Sequence, residues 1–426
     1  MTVDQPSQSL WKNKAYLSLI ASQTVSALGD WLDILAVLTL VAVKWNASPM
    51  AVSFLMLCFV GPMIVLGPFA GILGDKYDRK KIMIISDVVC AVLVVGVAFS
   101  STLWQVYLLV FLKSCFVALF MPAKNGKLKE IVPNEQIQQA MGISSIIDNS
   151  AKILGPTLSG VLVASVGIQW AFYLDAISFI LSAILLYGVP KTVHQLKEQN
   201  KGLETKESMA GSIKEGYLFL KTIPSLLLSL FLFSLTMLVL QMADTQIVVL
   251  LREMFTDPTQ VTGFTMAASG LGMIVSSIVI TKVKLPSVIV TTSIGGMGVG
   301  LIFALISVLA PFDESILIWL IPILGFIGGS SFGLASIPFQ ISVQTQTPVT
   351  KTGRVFGTIG SLTTLATIIG MTLGGVLSQL IGVVETYIIS GCSLFLLGCI
   401  TIVYKKQIES RDRHVSESDG GVQRGT

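Results

Sequence analysis

The sequence predicts an all-α membrane protein with twelve transmembrane helices in two parallel six-helix repeats. Of its 426 residues, 53% are hydrophobic and only 12% are charged, whereas a typical soluble domain has about 25% charged residues. The hydrophobic residues also fall into runs that are long enough to cross a bilayer, and part of the first half of the chain recurs in the second. An ordinary soluble enzyme and a disordered chain are therefore both excluded.

A membrane-spanning helix needs about 20 mostly apolar residues. The first hydrophobic run contains Asp30 and Asp33 and lacks a small-residue cleavage site after a short apolar core, so it is not predicted to be a signal peptide. The twelve predicted spans cover residues 16–42, 50–74, 82–100, 103–121, 140–165, 169–189, 224–250, 260–281, 286–309, 316–340, 355–381 and 384–404.

The positive charges predict the orientation of these spans. Among the 28 Lys and Arg residues, only Lys44 and Arg252 fall in outer segments when the N-terminus is placed in the cytoplasm. Lys113 and Lys152 fall within spans, and all the others fall in cytoplasmic segments. This bias predicts that both termini are cytoplasmic and that the number of spans is even. It also explains the net charge of +4 without a nucleic-acid partner.

Other sequence features argue against metal and cofactor chemistry. The five cysteines lie in apolar runs without metal-ligand spacing, and the two histidines lie in polar segments. The sequence lacks a Gly-x4-Gly-Lys-Ser/Thr motif, so ATP hydrolysis by a P-loop is not predicted. We therefore expect a non-enzymatic protein without a metal or an organic cofactor.

An internal repeat predicts the domain organisation. The sequence around Pro133 recurs without a gap around Pro348, and Gly155 and Gly160 of span 5 match Gly370 and Gly375 of span 11. A repeat with an even number of spans leaves its two copies parallel, and such pairs favour transport by alternating access. The predicted segments are a first half over 1–189, a cytoplasmic linker over 190–223, a second half over 224–404 and a disordered cytoplasmic tail over 405–426.

The loop after span 2 carries a recognisable motif. It reads Gly71-Ile-Leu-Gly-Asp75-Lys-Tyr-Asp78-Arg79-Lys80, and Asp87 follows in span 3. It resembles the loop of the major facilitator superfamily, Gly-x-Leu-(Ala/Gly)-Asp-(Arg/Lys)-x-Gly-Arg-(Lys/Arg). Asp78 replaces a common glycine, as in the branch that holds macrolide-efflux proteins and the enterobactin exporter.

The resemblance implies the major facilitator fold and a cytoplasmic gate at this loop. Asp75 ends span 2, where it can meet the positive N-terminal end of a helix from the other half. Arg79 and Asp87 can pair and hold the loop, and in the family this cluster keeps the cytoplasmic side closed. The alternative is that the loop only anchors the chain through the positive charges of Arg79 and Lys80.

Span 5 carries a second motif, Gly142-x8-Ala151-x3-Gly155-Pro156-x2-Ser159-Gly160. It resembles the antiporter motif of drug exporters, with Ala151 and Ser159 in place of two glycines, and the resemblance implies export. A Gly-Pro pair kinks a helix, and small residues four apart allow close helix contact; packing alone is thus the alternative. The stretch that enters span 11 also resembles the efflux branch and begins with Gly353 and Arg354.

Ionisable residues inside spans are the candidates for substrate and proton binding. Placing one charged side chain at the bilayer centre costs about 2.5–3.5 kcal/mol on insertion scales, so each such residue is expected to have a functional or structural role. The candidates are Asp30 and Asp33 in span 1, Lys113 in span 4, Asp148 and Lys152 in span 5, and Asp244 in span 7.

The spacing of these residues predicts some of their contacts. Asp30 and Asp33 share a helix face, and Asp148 and Lys152 can pair within span 5. In the superfamily spans 1 and 4 line the cavity, which puts Asp30 or Asp33 within reach of Lys113. Asp244 and the further acid Asp175 in span 6 lie nearer the outer ends, where they can reach water. A structural ion pair is the alternative for each residue.

Together these features predict a secondary active transporter that exports an amphipathic small molecule, such as a drug or a macrolide-like antibiotic, by proton antiport with alternating access. The proton gradient would supply the energy, with Asp30, Asp33 or Asp148 carrying the proton. The expected partners are lipids, the substrate and protons, and the expected state is a monomer in a bacterial inner membrane. The alternatives are a dedicated siderophore or metabolite exporter, an importer on the same fold, and a non-transporting sensor or scaffold.

Overall fold

A computed structural model describes residues 10–133, 136–191, 217–218, 220–221, 223–282, 287–347 and 352–422. This part of the chain is helical and contains twelve long α-helices and one short one, which confirms the predicted fold class. The helices are α1 Lys14–Thr39, α2 Pro49–Lys76, α3 Arg79–Ala98, α4 Leu103–Ile131, α5 Ile137–Val166, α6 Ile168–Leu186, α7 Pro224–Asp244, α8 Ile247–Met254, α9 Pro258–Lys282, α10 Val288–Leu309, α11 Glu314–Gln346, α12 Thr352–Ile381 and α13 Val383–Val422.

Eleven segments of the described residues are long and apolar enough to cross a membrane, with α7 and α8 together forming one of them. The remaining long helix, α5, has 30 residues and is therefore longer than a span requires. It is not among the eleven, and it carries polar residues such as Ser144, Asp148 and Lys152. The protein is thus a multi-pass membrane protein.

Polar side chains fix several helix starts at the ends of the spans. Asn13 accepts a hydrogen bond from the Tyr16 amide at the start of α1, and Asp78 accepts one from the Lys80 amide at the start of α3. Asp313 does the same for Ser315 at the start of α11, and these hydrogen bonds lower the pKa of Asp313. Such caps satisfy amide groups that a helix itself leaves unpaired.

The chain divides into two compact units. The first contains Met1–Asn46 and Phe54–Leu203, and the second contains Ala47–Ser53 and Glu204–Thr426. In the first unit α1 packs against α5 and α6, and α3 packs against α4 and α6. In the second unit α7 packs against α12 and α13, and α10 packs against α11 and α13. The same four pairs of helices are therefore in contact in each unit, as an internal repeat requires.

The turns between the last two helices of each unit also repeat. Gly167 joins α5 to α6 with φ 98°, and Gly382 joins α12 to α13 with φ 106°. Positive φ is unfavourable for residues with a side chain, so both turns need glycine. Gly167 and Gly382 are matching positions of the repeat that the sequence predicts.

The segment Ala47–Ser53 is held inside the second unit by polar contacts. The Arg252 guanidinium donates to the Ala47 carbonyl at 2.8 Å. The Gln246 amide donates to Ser53 Oγ at 2.8 Å, and Ser53 Oγ donates to the Met371 carbonyl at 2.8 Å. These hydrogen bonds explain why the first turns of α2 belong to this unit.

The end of the chain differs from the expected disordered tail, because α13 continues from the last span to Val422. The segment after residue 404 is rich in Lys, Gln, Glu and Arg, which favour helix. Glu409 and Arg413 also have the four-residue spacing that supports a helix. The predicted linker over 190–223 lies mostly outside the described residues, and the domain boundaries stay a prediction.

Candidate functional site

Three carboxylates surround one lysine inside the first unit. Lys113 Nζ of α4 lies 2.7 Å from Asp33 Oδ2, 3.0 Å from Asp30 Oδ1 and 3.2 Å from Asp175 Oδ2. The side chains of Lys113, Asp33 and Asp175 are 5%, 1% and 0% exposed, whereas that of Asp30 is 31% exposed. We call these four residues the Lys113 cluster. Asp30 is therefore the member of the cluster whose side chain is accessible from outside it.

Gly29 leaves room beside α1 for the Asp175 side chain of the Lys113 cluster. A Cβ atom at this position of α1 would collide with Asp175 Oδ1 and Ser178 Oγ of α6. Ser178 Oγ donates to the Asp175 carbonyl at 2.8 Å and also lies within hydrogen-bond distance of Asp175 Oδ1, at 3.2 Å. The Phe179 ring lies 5.1 Å from Lys113 Nζ, within the range of a cation–π contact.

The Lys113 cluster has more acids than bases. With all four groups ionised its formal charge is −2, and two bound protons would make it neutral. Asp33 Oδ1 is buried and has no hydrogen-bond partner among the described residues. Because an uncompensated charge in a dry environment costs several kcal/mol, this cluster is suited to bind protons or a cationic group.

A second polar group joins α1, α4 and α5. Gln23 Nε2 donates to Asp148 Oδ1 at 2.7 Å, and Lys124 Nζ lies 3.5 Å from Asp148 Oδ2. Ser144 Oγ donates to Gln23 Oε1 at 2.9 Å. We call Gln23, Lys124, Ser144 and Asp148 the Lys124 cluster. Its carboxylate and its ammonium group balance in charge.

The two clusters share one cavity of about 80 Å³, which is room for about two or three water molecules. Asp30 of the Lys113 cluster lines this cavity together with Asp148 and Lys124 of the Lys124 cluster. Asp87 of α3 is a further carboxylate in its wall. The remaining lining residues are Gln23, Ser26, Ala27, Ser86, Cys90, Val117, Phe120, Met121 and Phe179.

The start of α3 is bound to the end of α4. Arg79 Nη1 donates to the Gly126 carbonyl at 3.0 Å and pairs with Glu130 Oε1 at 2.8 Å. Lys127 Nζ lies 2.8 Å from Glu130 Oε2. A Cβ atom at Gly126 would lie 2.6 Å from the Arg79 guanidinium, so this position needs glycine for the contact to form. Arg79 is thus fixed within the first unit.

The predicted pairing of Arg79 with Asp87 is wrong. The two residues are separated by about 12 Å along α3, and Asp87 Oδ2 instead accepts a hydrogen bond from Ser182 Oγ at 2.6 Å. Lys80 donates to the Val189 carbonyl at 2.6 Å, just beyond the end of α6. Gly71 and Asp75 belong to α2, but their side chains lie outside the part that the structure describes, so their gate role stays a prediction.

The span 5 motif packs α5 against α1. A Cβ atom at Gly155 would collide with Trp31 Cβ, and Ser159 Oγ donates to the Leu32 carbonyl at 2.9 Å. Ala151 is buried, whereas Gly142 has open space beside it. The surroundings of Lys152, Pro156 and Gly160 lie outside the part of the chain that the structure describes. The observed contacts support the packing role, and they bring α5 against the helix that carries Asp30 and Asp33.

Some predicted contacts are found and others differ. Asp30 and Asp33 do lie beside Lys113, as expected. Asp175 is fully buried rather than near water, because it faces Lys113 from α6. Asp148 pairs with Lys124, and its expected pairing with Lys152 lies outside the described side chains.

Two further predicted groups lie at helix ends. Asp244 is the last residue of α7 and is exposed, in line with the expectation that it reaches water. Gly353 and Arg354 lie in the first turn of α12, and their side chains are among those not described.

Lys124, Gln23 and Glu130 were missed as site residues. The predicted fourth span ends at residue 121, which puts Lys124 and Glu130 in a cytoplasmic loop. In the structure α4 continues past Pro122 to Ile131. The helix-forming composition of residues 123–131 was the signal for this continuation. Within the described chain no three His, Cys, Asp or Glu residues are arranged to hold a metal ion.

The fold and the site define a multi-pass α-helical membrane protein with a charged cavity in one of two repeated units. The family model of the Major Facilitator Superfamily matches residues 19–367. The chain therefore belongs to this superfamily, and it is a membrane transporter, not an enzyme.

Similar curated proteins cover most of the chain. It is 45% identical over 418 residues to the uncharacterized MFS-type transporter YfiS of Bacillus subtilis, covering 97% of this chain and 99% of the relative. It is 26% identical to macrolide efflux protein A of Streptococcus pyogenes, covering 92% and 95%. It is also 26% identical to the enterobactin exporter EntS of Shigella flexneri, covering 81% and 79%.

A solved structure shares the fold. The crystal structure of the nucleoside transporter NupG matches with a TM-score of 0.69 and 13% identity, covering 92% of this chain and 99% of that one. This similarity shows the fold alone.

Proposed function

We propose that this transporter exports an amphipathic small molecule from the bacterial cytoplasm in exchange for protons. The observation that carries the proposal is the Lys113 cluster, in which three carboxylates share one buried lysine. One of them, Asp30, also lines the cavity of the first unit. The names of two relatives, a macrolide efflux protein and an enterobactin exporter, support export as the direction.

The mechanism follows from the charge of the Lys113 cluster. In its ionised form the cluster attracts a cationic group, and two protons remove this attraction. Protons and substrate therefore compete for one site, which couples their movements across the membrane. Exchange of two protons for one singly charged cation moves one net charge inward. One charge that crosses 100 mV releases about 2.3 kcal/mol, and a tenfold gradient needs about 1.4 kcal/mol, so this exchange supports more than a tenfold gradient.

The charges of the cavity wall favour a positively charged group on the substrate, of which a cavity of about 80 Å³ can hold only a small part. It contains three carboxylates, on Asp30, Asp87 and Asp148, and one ammonium group, on Lys124. A negatively charged siderophore would be repelled by this excess of acids, whereas a drug or macrolide-like antibiotic with a protonated amine would be attracted. The second candidate, a siderophore exporter, is favoured by the name of one relative.

The positive charges of the sequence support the proposed topology. Their accumulation in predicted cytoplasmic segments favours cytoplasmic termini in a bacterial inner membrane. We further propose that the monomer is the working unit, since the described cavity is built by α1, α3, α4, α5 and α6 of one chain.

The test is an accumulation assay in cells that lack their main exporters. Labelled macrolides, cationic dyes and siderophores are followed with and without the protein, before and after a protonophore. We expect lower accumulation of the cationic probes, reversed by the protonophore and lost in Asp33→Asn. Asp257→Asn is the matched control, because this exposed loop residue caps Thr259 and asparagine caps equally well. Equal accumulation of every probe would refute export of these classes.

A further inference from the structure

Asp87 is a buried carboxylate with an unusual hydrogen-bond arrangement. It is 2% exposed in the middle of α3, and its Oδ2 accepts from Ser182 Oγ at 2.6 Å. Ser182 Oγ also lies 2.7 Å from Ser22 Oγ, and either hydroxyl can donate. Both serines are fully buried. A hydroxyl chain thus links Asp87 on α3 through α6 to α1.

Asp87 has no cation beside it. Among the described residues, no lysine or arginine nitrogen lies within 4.0 Å of its carboxylate, whereas the carboxylates of both clusters each contact a lysine. The charged groups that line the same cavity as Asp87 are Asp30 of α1, Lys124 of α4 and Asp148 of α5. Behind Asp30 lie Lys113 of α4 and, paired with that lysine, Asp175 of α6.

The two clusters lie at different levels along α1. Gln23 belongs to the Lys124 cluster and Asp30 to the Lys113 cluster, and two turns of α1 separate them by about 10 Å. A proton moves directly between groups only across about 2.6–3.2 Å, or through one water. The cavity that Asp30 and Asp148 line is also lined by Asp87, so a third carboxylate meets the same space.

We propose that Asp87 relays protons from the Lys113 cluster towards the cytoplasmic end of the cavity. The proposal rests on the proton antiport proposed above. Protonated Asp30 gives its proton through cavity water to the Asp87 carboxylate, so Asp30 becomes ionised and Asp87 neutral. Asp87 then releases this proton to water at the cytoplasmic end and is ionised again.

The serine pair suits both states of Asp87. When Asp87 is ionised, Ser22 donates to Ser182 and Ser182 donates to the carboxylate. When Asp87 carries a proton, it can donate to Ser182, and Ser182 can then donate to Ser22. The hydrogen bonds reverse without any movement of the helices. This arrangement stabilises a carboxyl group that gains and loses a proton repeatedly.

A substrate-free experiment tests the relay. Infrared difference spectra of the purified full chain in nanodiscs are recorded during a pH titration, in the region of the protonated carboxyl C=O stretch. We expect Asp87→Asn to lose one titrating carboxyl band. We expect Ser182→Ala to shift that band, because the protonated carboxyl of Asp87 loses the hydroxyl that accepts its hydrogen bond. Asp257→Asn is the control; it removes a carboxyl group outside the cavity and should keep the band assigned to Asp87. Unchanged bands in both Asp87→Asn and Ser182→Ala would overturn the proposal.

A transport experiment separates coupling from a merely structural role. Ethidium is used as the probe in proteoliposomes, with uphill movement driven by a pH gradient and exchange measured without one. We expect Asp87→Asn to lose uphill movement and retain exchange, and Asp87→Glu to restore part of the uphill movement. Full uphill transport by Asp87→Asn would overturn the relay. If no variant moves ethidium, the proposed function fails for this probe, and the infrared titration alone decides the relay.

Discussion

Removing the lysine from the Lys113 cluster tests the electrostatic basis of the site. Lys113→Met keeps most of the side-chain volume but leaves three carboxylates without their cation. Each contact of about 3 Å corresponds to about 5 kcal/mol of gross attraction at an effective dielectric constant of about 20. Desolvation of the ions and repulsion among the carboxylates offset most of this sum. Measured deletions of one partner from a buried ion pair cost about 3–5 kcal/mol, and we expect a loss of this size at neutral pH.

The assay is unfolding of the purified variant in detergent, followed by tryptophan fluorescence at neutral and at mildly acidic pH. Acid protonates the carboxylates and removes their mutual repulsion, so the difference from the wild type should become smaller as the pH falls. Lys113→Met combined with Asp33→Asn and Asp175→Asn should recover much of the lost stability, because the uncompensated charges are removed together with their partner. The variant that carries only Asp33→Asn and Asp175→Asn completes the cycle.

Two results would refute this reasoning. A loss below about 1 kcal/mol at neutral pH would mean that Lys113 interacts with its neighbours no more strongly than an exposed ion pair does. A loss that stays constant from neutral to acidic pH would mean that packing of the lysine side chain, and not charge, accounts for the effect. In either case the Lys113 cluster could not be the group that senses protons.

Three further predictions concern neighbouring parts of the first unit and α2. Gly29→Ala should destabilise the protein by about 1–3 kcal/mol in the same unfolding assay, because its methyl group overpacks the contact with α6; Gly142→Ala, with open space beside it, is the control and should not destabilise. Glu130→Gln should release Arg79 and increase the solvent accessibility of an engineered cysteine nearby, measured by its rate of maleimide labelling, and an unchanged rate would contradict this. Asp75→Asn should slow transport while leaving membrane insertion intact, and normal transport by this variant would exclude the gate role.

Hydrophobicity and charge placement were sufficient to predict the helices, because span length and positive-inside bias are properties of consecutive residues. The contact of Asp33 with Lys113 was also accessible, since both helices line the cavity in the resemblance that the loop motif supports. The position of Asp175 was not accessible, because it depends on how α6 is rotated around its axis. Gly29 determines this contact by allowing α1 to approach, and nothing in the sequence near Asp175 indicates it.

The end of α4 illustrates a different limit. Pro122 follows the apolar run, and proline commonly ends a helix, so a boundary near residue 121 was the natural prediction. The helix nevertheless continues, and Lys124 enters the unit because Asp148 and Ser144 of α5 meet its ammonium group. A partner from a distant part of the chain thus decides whether a lysine is a loop residue or a member of the site.

Comparison of the repeated helices shows that the two units share their helix packing but not the ionisable residues of the site. In the repeat Asp148 of α5 corresponds to Thr363 of α12, whose hydroxyl donates to the Ile359 carbonyl of its own helix at 2.8 Å. A threonine that is satisfied in this way carries no charge and requires no partner. Proton coupling needs a titrating group in only one of two moving units, since binding to either one biases the equilibrium between their arrangements. On the proposed mechanism, the carboxylates of the first unit are sufficient for proton coupling, so the matching positions of the second unit need no charge. Neutral substitutions at Thr363 should therefore leave proton coupling intact, whereas Asp33→Asn should abolish it.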